Sequence, residues 1–212
     1  MGTYPMMLNM KNKAAVVVGG GTIAYRKTLG LLEAGADVTV ISPVIHSKMK
    51  ILFMDHQITW KNKVFEPQDL DSAILVIAAT NQSQVNKFVA LSAGEHQLVN
   101  VVDSQGLSDF QVPAKLERGD LTIAVATGGA SPTLATVIRD ELAEKYDESY
   151  NAYLDFLALA RDQVKSSTVD QQTKVRLLKV ITGETYRQSH TMQQAFLEII
   201  GDFEKRSFHQ LI

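Results

Sequence analysis

An α/β fold with a parallel sheet, followed by an all-helical tail, is what this sequence predicts, and three observations carry the prediction. Short β-branched apolar runs alternate with helix-compatible stretches from Ala14 to Lys145; a glycine-rich turn joins the first run to the first helix; and strand signals stop after Tyr146. Ala14 to Gly19 (AAVVVG) reads as a strand buried on both faces of a parallel sheet. Ile23 to Ala34 sets Ile23, Leu31 and Leu32 at helical intervals, and Gly35 sits where a left-handed residue would stop that helix. Asp37 to Ser42 (DVTVIS), closed by Pro43, completes a βαβ unit with the length of a right-handed crossover. Ile58 to Val64 and Ser72 to Ala79 follow as strands, Gln82 to Gly94 as a helix, and Leu98 to Val102 as the next strand. Leu121 to Thr127 reads as a further strand of the open sheet and Pro132 to Lys145 as a helix. In the tail, apolar residues group as Leu154, Phe156, Leu157, Leu159 and Val164, then Val175, Leu177, Leu178 and Val180, then Phe196, Ile199 and Ile200. This grouping predicts three amphipathic helices, with a polar, turn-like Ser166 to Gln172 between the first two.

Composition narrows the function classes. A hydrophobic fraction of 45% with 21% charged residues over 212 residues suits a folded protein with a substantial core. The net charge is -2 and no lysine or arginine tract could follow a phosphate backbone, so nucleic acid is not an expected partner. Cysteine is absent, which excludes disulfides, thiolate nucleophiles and Cys-ligated metal centres and agrees with a reducing, cytoplasmic location. Met1 to Lys13 has no leader-like pattern, and no run approaches the ~18 apolar residues of a membrane span. The five histidines, His46, His56, His96, His190 and His209, are scattered without metal-ligand spacing, so no metal site is expected.

The turn after the first strand carries the first chemistry. VVVGGGTIA places Gly19, Gly21 and Ala24 as GxGxxA between a strand and a helix, the context that a Rossmann-type dinucleotide fingerprint requires. Gly19 would permit the tight turn, Gly21 would let the backbone approach a pyrophosphate, and Ala24 would let the helix lie close to the sheet. The N–H groups of Gly21, Thr22 and Ile23 would supply anion affinity together with the helix dipole. The acidic residue that ordinarily ends the second strand and holds the ribose hydroxyls is replaced by Ser42 and Pro43, which leaves NAD against NADP open on the residues alone. Arg26 and Lys27 would tolerate a 2′-phosphate if they faced the ribose, and otherwise belong to a solvated helix face. Thr80 and Asn81, after the SAILVIAA strand, either touch the cofactor or cap the next helix.

Two further strand ends could act on a substrate. Asp103 closes NVVD at the carboxyl end of its strand, where open α/β sheets bind ligands and a general base can reach a substrate; position alone equally allows a turn or cap residue. Thr127, Gly128, Gly129 and Ser131 form a second strand-to-helix corner, with Ser131 suited to the N-cap and Pro132 to the first helical position. That corner could hold a carboxylate, or could be a plain capped helix start.

Taken in order, VVVGGGTIAYRK (16–27), LVIAATNQSQVN (75–86), NVVD (100–103), FQVPA (110–114) and RGDLTIAVATGGASPTLATVIRDEL (118–142) resemble the precorrin-2 dehydrogenase family, which includes the dehydrogenase and ferrochelatase portion of siroheme synthases. The tail matches only in size and character. The resemblance implies three parts: an NAD-binding Rossmann domain over 1–113, a central strand–helix dimerisation segment over 114–147, and a small helical domain over 148–212. It implies oxidation of precorrin-2 to sirohydrochlorin with NAD, on the way to siroheme and in some organisms cobalamin, by a homodimer. It makes Asp103 the general base and Thr22, Ile23, Pro43 and Val44 cofactor contacts, and its members prefer NAD without a ribose carboxylate. Precorrin-2 carries eight carboxylates, which gives Thr127, Gly128, Gly129 and Ser131 anions to anchor. Two alternatives stay open: a bifunctional enzyme that also inserts ferrous iron, and a non-enzymatic module that senses NAD(H).

Overall fold

Ala14–Val18 form β1, the middle strand of a five-stranded parallel sheet of order β3-β2-β1-β4-β5. The computed structural model describes residues 2–209, with side chains to Gly201; Met1, the His209 side chain and residues 210–212 lie outside the description. The chain divides into two units between Val112 and Pro113.

In the first unit, β1 is followed by α1 (Thr22–Glu33), β2 (Asp37–Ile41), α2 (Ser47–Met54), β3 (Thr59–Lys61), β4 (Leu75–Ala78), α3 (Ser83–Ser92) and β5 (Leu98–Val101). The continuous apolar run of β1 has its reason in this layering, because alternate side chains enter two different cores. Ala15 and Val17 pack with Ala24 and Leu31 of α1 and Met49 of α2, while Val16 and Val18 pack with Val76, Val99 and Val89 of α3. Val17, Val40 and Val76 are wholly buried, and each such side chain contributes about 1.5–3 kcal/mol. Strand β1 pairs with β2 on one side (Val16 opposite Thr39) and with β4 on the other (Val16 opposite Val76), so the chain reverses its direction of travel through the sheet between β1 and β4. Helix α1 ends as the sequence predicts: Gly35 takes φ +74°, its N–H donates to the Leu32 carbonyl, and the Ala36 N–H donates to that of Leu31.

Differences from the sequence expectations have local causes. Helix α2 is absent from them because it buries Met49 alone and is capped by His46, whose Nδ1 accepts from the Lys48 N–H; neither feature makes a readable pattern. Strand β3 is three residues rather than Ile58 to Val64, because Lys61 and Lys63 turn to meet Asp69, at 3.2 and 3.1 Å. Strand β4 begins at Leu75 rather than Ser72, since the carbonyls of Leu70 and Ala73 are taken by the Gln97 side-chain amide.

The second unit opens with the antiparallel hairpin β6 (Ala114–Arg118) and β7 (Leu121–Val125), on which α4 (Pro132–Lys145) packs. Leu121 to Thr127 is therefore not a strand of the open sheet: β7 pairs with β6, which has its own turn at Gly119 (φ +54°). Among the described residues the tail has four helices rather than three, α5 (Ser149–Ser166), α6 (Gln171–Val180), the short α7 (Glu184–Gln188) and α8 (His190–His209). Their core is Tyr153, Phe156, Ala160, Val164, Ile181, Phe196 and Ile200, and the Tyr153 hydroxyl donates to the Ile181 carbonyl at 2.7 Å.

The tightest constraint in the sheet lies just past β1. Gly19 takes φ +125°, and a Cβ there would stand 2.3 Å from the Ala79 carbonyl oxygen. Gly19→Ala is expected to destabilise the protein by about 2–4 kcal/mol, from left-handed strain and overpacking together. Denaturant unfolding measures it, and an unchanged midpoint would show that the loop yields.

Candidate functional site

The loops at the carboxyl ends of β1, β2, β4 and β5 come together around the reversal between β1 and β4, where open α/β sheets have their ligand crevice. Gly19 lies against Ala79 and Thr80. Gly20 lies on the loop after β2, where a Cβ would come 2.0 Å from the Val44 carbonyl oxygen, and its own carbonyl accepts from the His46 N–H at 2.7 Å. Gly21 differs from both: it is exposed, and a Cβ there would meet nothing of the protein within 4 Å. It is the N-cap of α1, and no side chain caps that helix. The first backbone bond across this end runs from the Tyr25 N–H to the Gly21 carbonyl, so the N–H groups of Thr22, Ile23 and Ala24 precede the helical ladder. Thr22 and Ile23 are exposed and Ala24 is wholly buried against the sheet. A pyrophosphate fits this end: the donors are bare and the space above Gly21 is open.

After β2, the Ser42 hydroxyl donates to the Val44 carbonyl at 2.7 Å, which holds the loop in a tight bend. Pro43 and Val44 are exposed beside the glycine loop, where the adenosine end of a dinucleotide would lie. The cations raised by the sequence differ in setting: Arg26 is exposed, whereas partial burial, and then Arg26, pull the Lys27 ammonium below the ordinary lysine range.

Asp103 follows β5 and is exposed. Its Oδ2 accepts from the Ser83 hydroxyl at 2.5 Å and its Oδ1 from the Asn86 Nδ2 at 2.9 Å. The Ser83 hydrogen bond above all, then that of Asn86 against a partial desolvation, holds the carboxyl below the ordinary aspartate range, so it is ionised at neutral pH. Asn86 is wholly buried and also grips Thr80, accepting from its N–H (3.0 Å) and hydroxyl (2.7 Å) and donating to its carbonyl (3.1 Å). Thr80 is therefore not the N-cap of α3; that position is Gln82, whose N–H donates to the Thr80 hydroxyl, while Asn81 is exposed. Sequence reasoning missed Ser83 and Asn86. Their signal was the i, i+3 spacing, which puts both on one face of the first turn of α3, beneath the ends of β4 and β5.

Thr127, Gly128, Gly129 and Ser131 belong to the second unit. The Ser131 side chain accepts from the Leu134 N–H at 3.1 Å and so caps α4, with Pro132 at the first helical position. The Thr127 hydroxyl accepts from the Ser131 N–H and donates to the Ser131 carbonyl, and Gly128 and Gly129 take φ +60° and +85°. The described residues contain no group of three or more His, Cys, Asp or Glu side chains arranged to hold a metal ion. No helix among them is long and apolar enough to cross a membrane.

A glycine loop at an uncapped helix end, over the reversal of a parallel sheet, defines a dinucleotide-binding α/β protein, and the comparisons with known proteins agree. The NAD(P)-binding family model matches residues 6–114, the central model of sirohaem biosynthesis proteins residues 118–145, and the model of the SirC C-terminal domain residues 150–196. Precorrin-2 dehydrogenase of Priestia megaterium is 37% identical over 95% of this chain and 100% of its own length. Siroheme synthases of Methylobacillus flagellatus and Xylella fastidiosa are each 36% identical over 92% of this chain, which spans 44% and 42% of their lengths. The solved structure of SirC, a precorrin-2 dehydrogenase, superposes with a TM-score of 0.83 at 37% identity and covers 95% of this chain. The chain belongs to the precorrin-2 dehydrogenase family.

The open space at Gly21 makes a clean test. Gly21→Ala meets no protein atom and is expected to shift stability by at most about 1 kcal/mol. It should weaken NADH binding at least about tenfold, because a methyl group would stand where the pyrophosphate approaches the backbone. Fluorescence titration with NADH, beside thermal unfolding, checks both halves; undiminished binding would remove the loop from the cofactor site.

Proposed function

We propose that this protein oxidises precorrin-2 to sirohydrochlorin with NAD as hydride acceptor, and that Asp103 is the general base. The observation that carries the reading is the placement of an ionised, exposed carboxylate at the end of β5, on the same sheet edge as the glycine loop and held by two neutral donors. The reaction removes a hydride and a proton from the macrocycle. A bound nicotinamide takes the hydride. The chain's own residues have the remaining tasks. The N–H groups of Gly21, Thr22 and Ile23 hold the pyrophosphate, and Ala24 lets α1 approach the sheet closely enough to present them. Ser42, Pro43 and Val44 face the adenosine end, and Thr80 and Asn81 border the crevice floor. The Asp103 carboxylate, with lone pairs left after its bonds to Ser83 and Asn86, takes the proton.

NAD rather than NADP is proposed because the residues beside the glycine loop after β2, Ser42, Pro43 and Val44, offer no cationic side chain to a 2′-phosphate. Thr127, Gly128, Gly129 and Ser131 are proposed to anchor substrate carboxylates. The corner stands at the N-terminus of α4, whose dipole favours an anion, and its two glycines take left-handed φ values there. A homodimer built through residues 114–147 and the helical domain 148–212 is proposed on the apolar surface of α4. That helix buries Ala135 alone over its 14 residues and leaves Leu134 and Val137 exposed. A cytoplasmic location goes with the lack of cysteine.

The test is anaerobic incubation of the purified protein with precorrin-2 and NAD, following NADH and the macrocycle spectrum, first without metal and then with ferrous iron. NADH and sirohydrochlorin formed together are expected; neither product would sink the proposal, and enzymatic metal insertion in the second arm would extend it to a bifunctional enzyme. Asp103→Ala is expected to lower turnover about 10²- to 10⁴-fold with NADH binding intact, and full turnover by that variant would strip Asp103 of its role. Ser131→Ala should raise the KM for precorrin-2 with kcat little changed; an unchanged KM would remove the corner from the substrate site.

A further inference from the structure

Asn86 spends a complete set of hydrogen-bonding groups in a place where nothing about α3 requires it. It lies in the first turn of the helix, wholly buried, where an alanine or leucine would serve the core. Burying an amide there is favourable only if all its bonds are made, and they are made to two different strand ends. The Thr80 N–H can only donate, so the atom facing it is the Asn86 carbonyl oxygen, and Nδ2 is left to face the Thr80 carbonyl and Asp103 Oδ1. The amide cannot flip without putting oxygen against oxygen at both. On the other side, the Ser83 hydroxyl donates to Oδ2. One donor on each oxygen stops rotation of the carboxylate about its last torsion.

We infer that Ser83 and Asn86 are positioning residues for the oxidation: they hold the Asp103 carboxylate in one orientation at the crevice mouth, and Asn86 ties that orientation to Thr80, the residue packed against the glycine loop. This rests on Asp103 being the base. The donors are neutral. The groups that shift Asp103 are Ser83 and Asn86 of α3 and its own backbone N–H, with no ionised side chain among them, so among the described residues neutral donors align the carboxylate and keep it ionised. An ammonium or guanidinium would align it equally well but would form an ion pair that the incoming proton must break. The link to Thr80 matters because a base helps only when it is aimed at the proton while the hydride acceptor is in place. Asn86 joins the strand end beside the cofactor loop to the strand end that carries the base.

The experiment compares Ser83→Ala, Asn86→Ala and the parent by two readouts: the carbon-13 titration of the Asp103 carboxyl in the protein without substrate, and the pH dependence of kcat and KM. Each lost bond removes a donor that favours the ionised form, so the carboxyl midpoint should rise in both variants, and the acid limb of kcat/KM should rise with it. The kcat should fall about tenfold or more while the KM for precorrin-2 and the NADH affinity stay within about threefold. An unmoved midpoint in a folded variant would overturn the inference, and so would a raised midpoint with unchanged kcat, which would make the clamp structural. Ser83 is exposed at the start of α3, so Ser83→Ala folds even if Asn86→Ala does not, and it decides by itself on the same criteria. Because the carboxyl titration needs no turnover, it separates failure of this inference from failure of Asp103 as the base.

Discussion

At the end of β1, main chain meets main chain with no side chain between. Gly19 lies on the carbonyl of Ala79 and Gly20 on that of Val44, so the β1–α1 loop, the β2–α2 loop and the end of β4 are fastened by contacts that only glycine permits. The rest of the nucleotide end depends on this approach. It sets α1 with its first amides bare and the space above Gly21 open, and it brings Thr80 to the edge of the crevice. Backbone hydrogen bonds complete the fastening, from the Gly19 N–H to the Ile41 carbonyl and from the His46 N–H to the Gly20 carbonyl.

From Thr80 the order passes into a second, polar network. Asn86 grips Thr80 with one end of its amide and reaches Asp103 with the other, so the residue packed against the glycine loop and the carboxylate are held through one buried side chain. The two ends of the network suit opposite charges: uncapped amides attract a phosphate, and the carboxylate is kept ionised by neutral donors. In the proposed reaction a polycarboxylate substrate would compete for any cation placed beside Asp103, and pairing the carboxylate with a hydroxyl and an amide would avoid that competition.

The second unit follows different physics. Its helical domain is a closed aromatic and aliphatic core around Phe156, Phe196 and Tyr186, whereas the hairpin and α4 bury little: Leu116 and Ala135 are the buried apolar residues of β6 and α4. A hairpin with one helix is too small to bury its apolar side chains alone, and the proposed homodimer rests on that exposed surface.

The parallel sheet, the glycine loop, the Gly35 stop and the Ser131–Pro132 helix start were legible in the sequence, because each rests on local geometry: β-branched runs, φ values open to glycine, and a hydroxyl capping its own helix. Asp103 was legible as a strand-end carboxylate, but not its setting. Helix α2 and strand β6 escaped because their burial is slight, and β7 was misplaced into the sheet because a strand's sequence carries its propensity and not its partner. Ser83 and Asn86 escaped for the same reason as β7, since their roles are pairings with Asp103 and Thr80, distant in the chain. The sequence by itself thus determined where the chain turns, which runs are buried and what could bind at the first loop. Only the tertiary structure decided which strand β7 pairs with and which neutral donors hold the carboxylate, because hydrogen-bond partners across elements are chosen by the packing of the sheet and leave no periodicity to read.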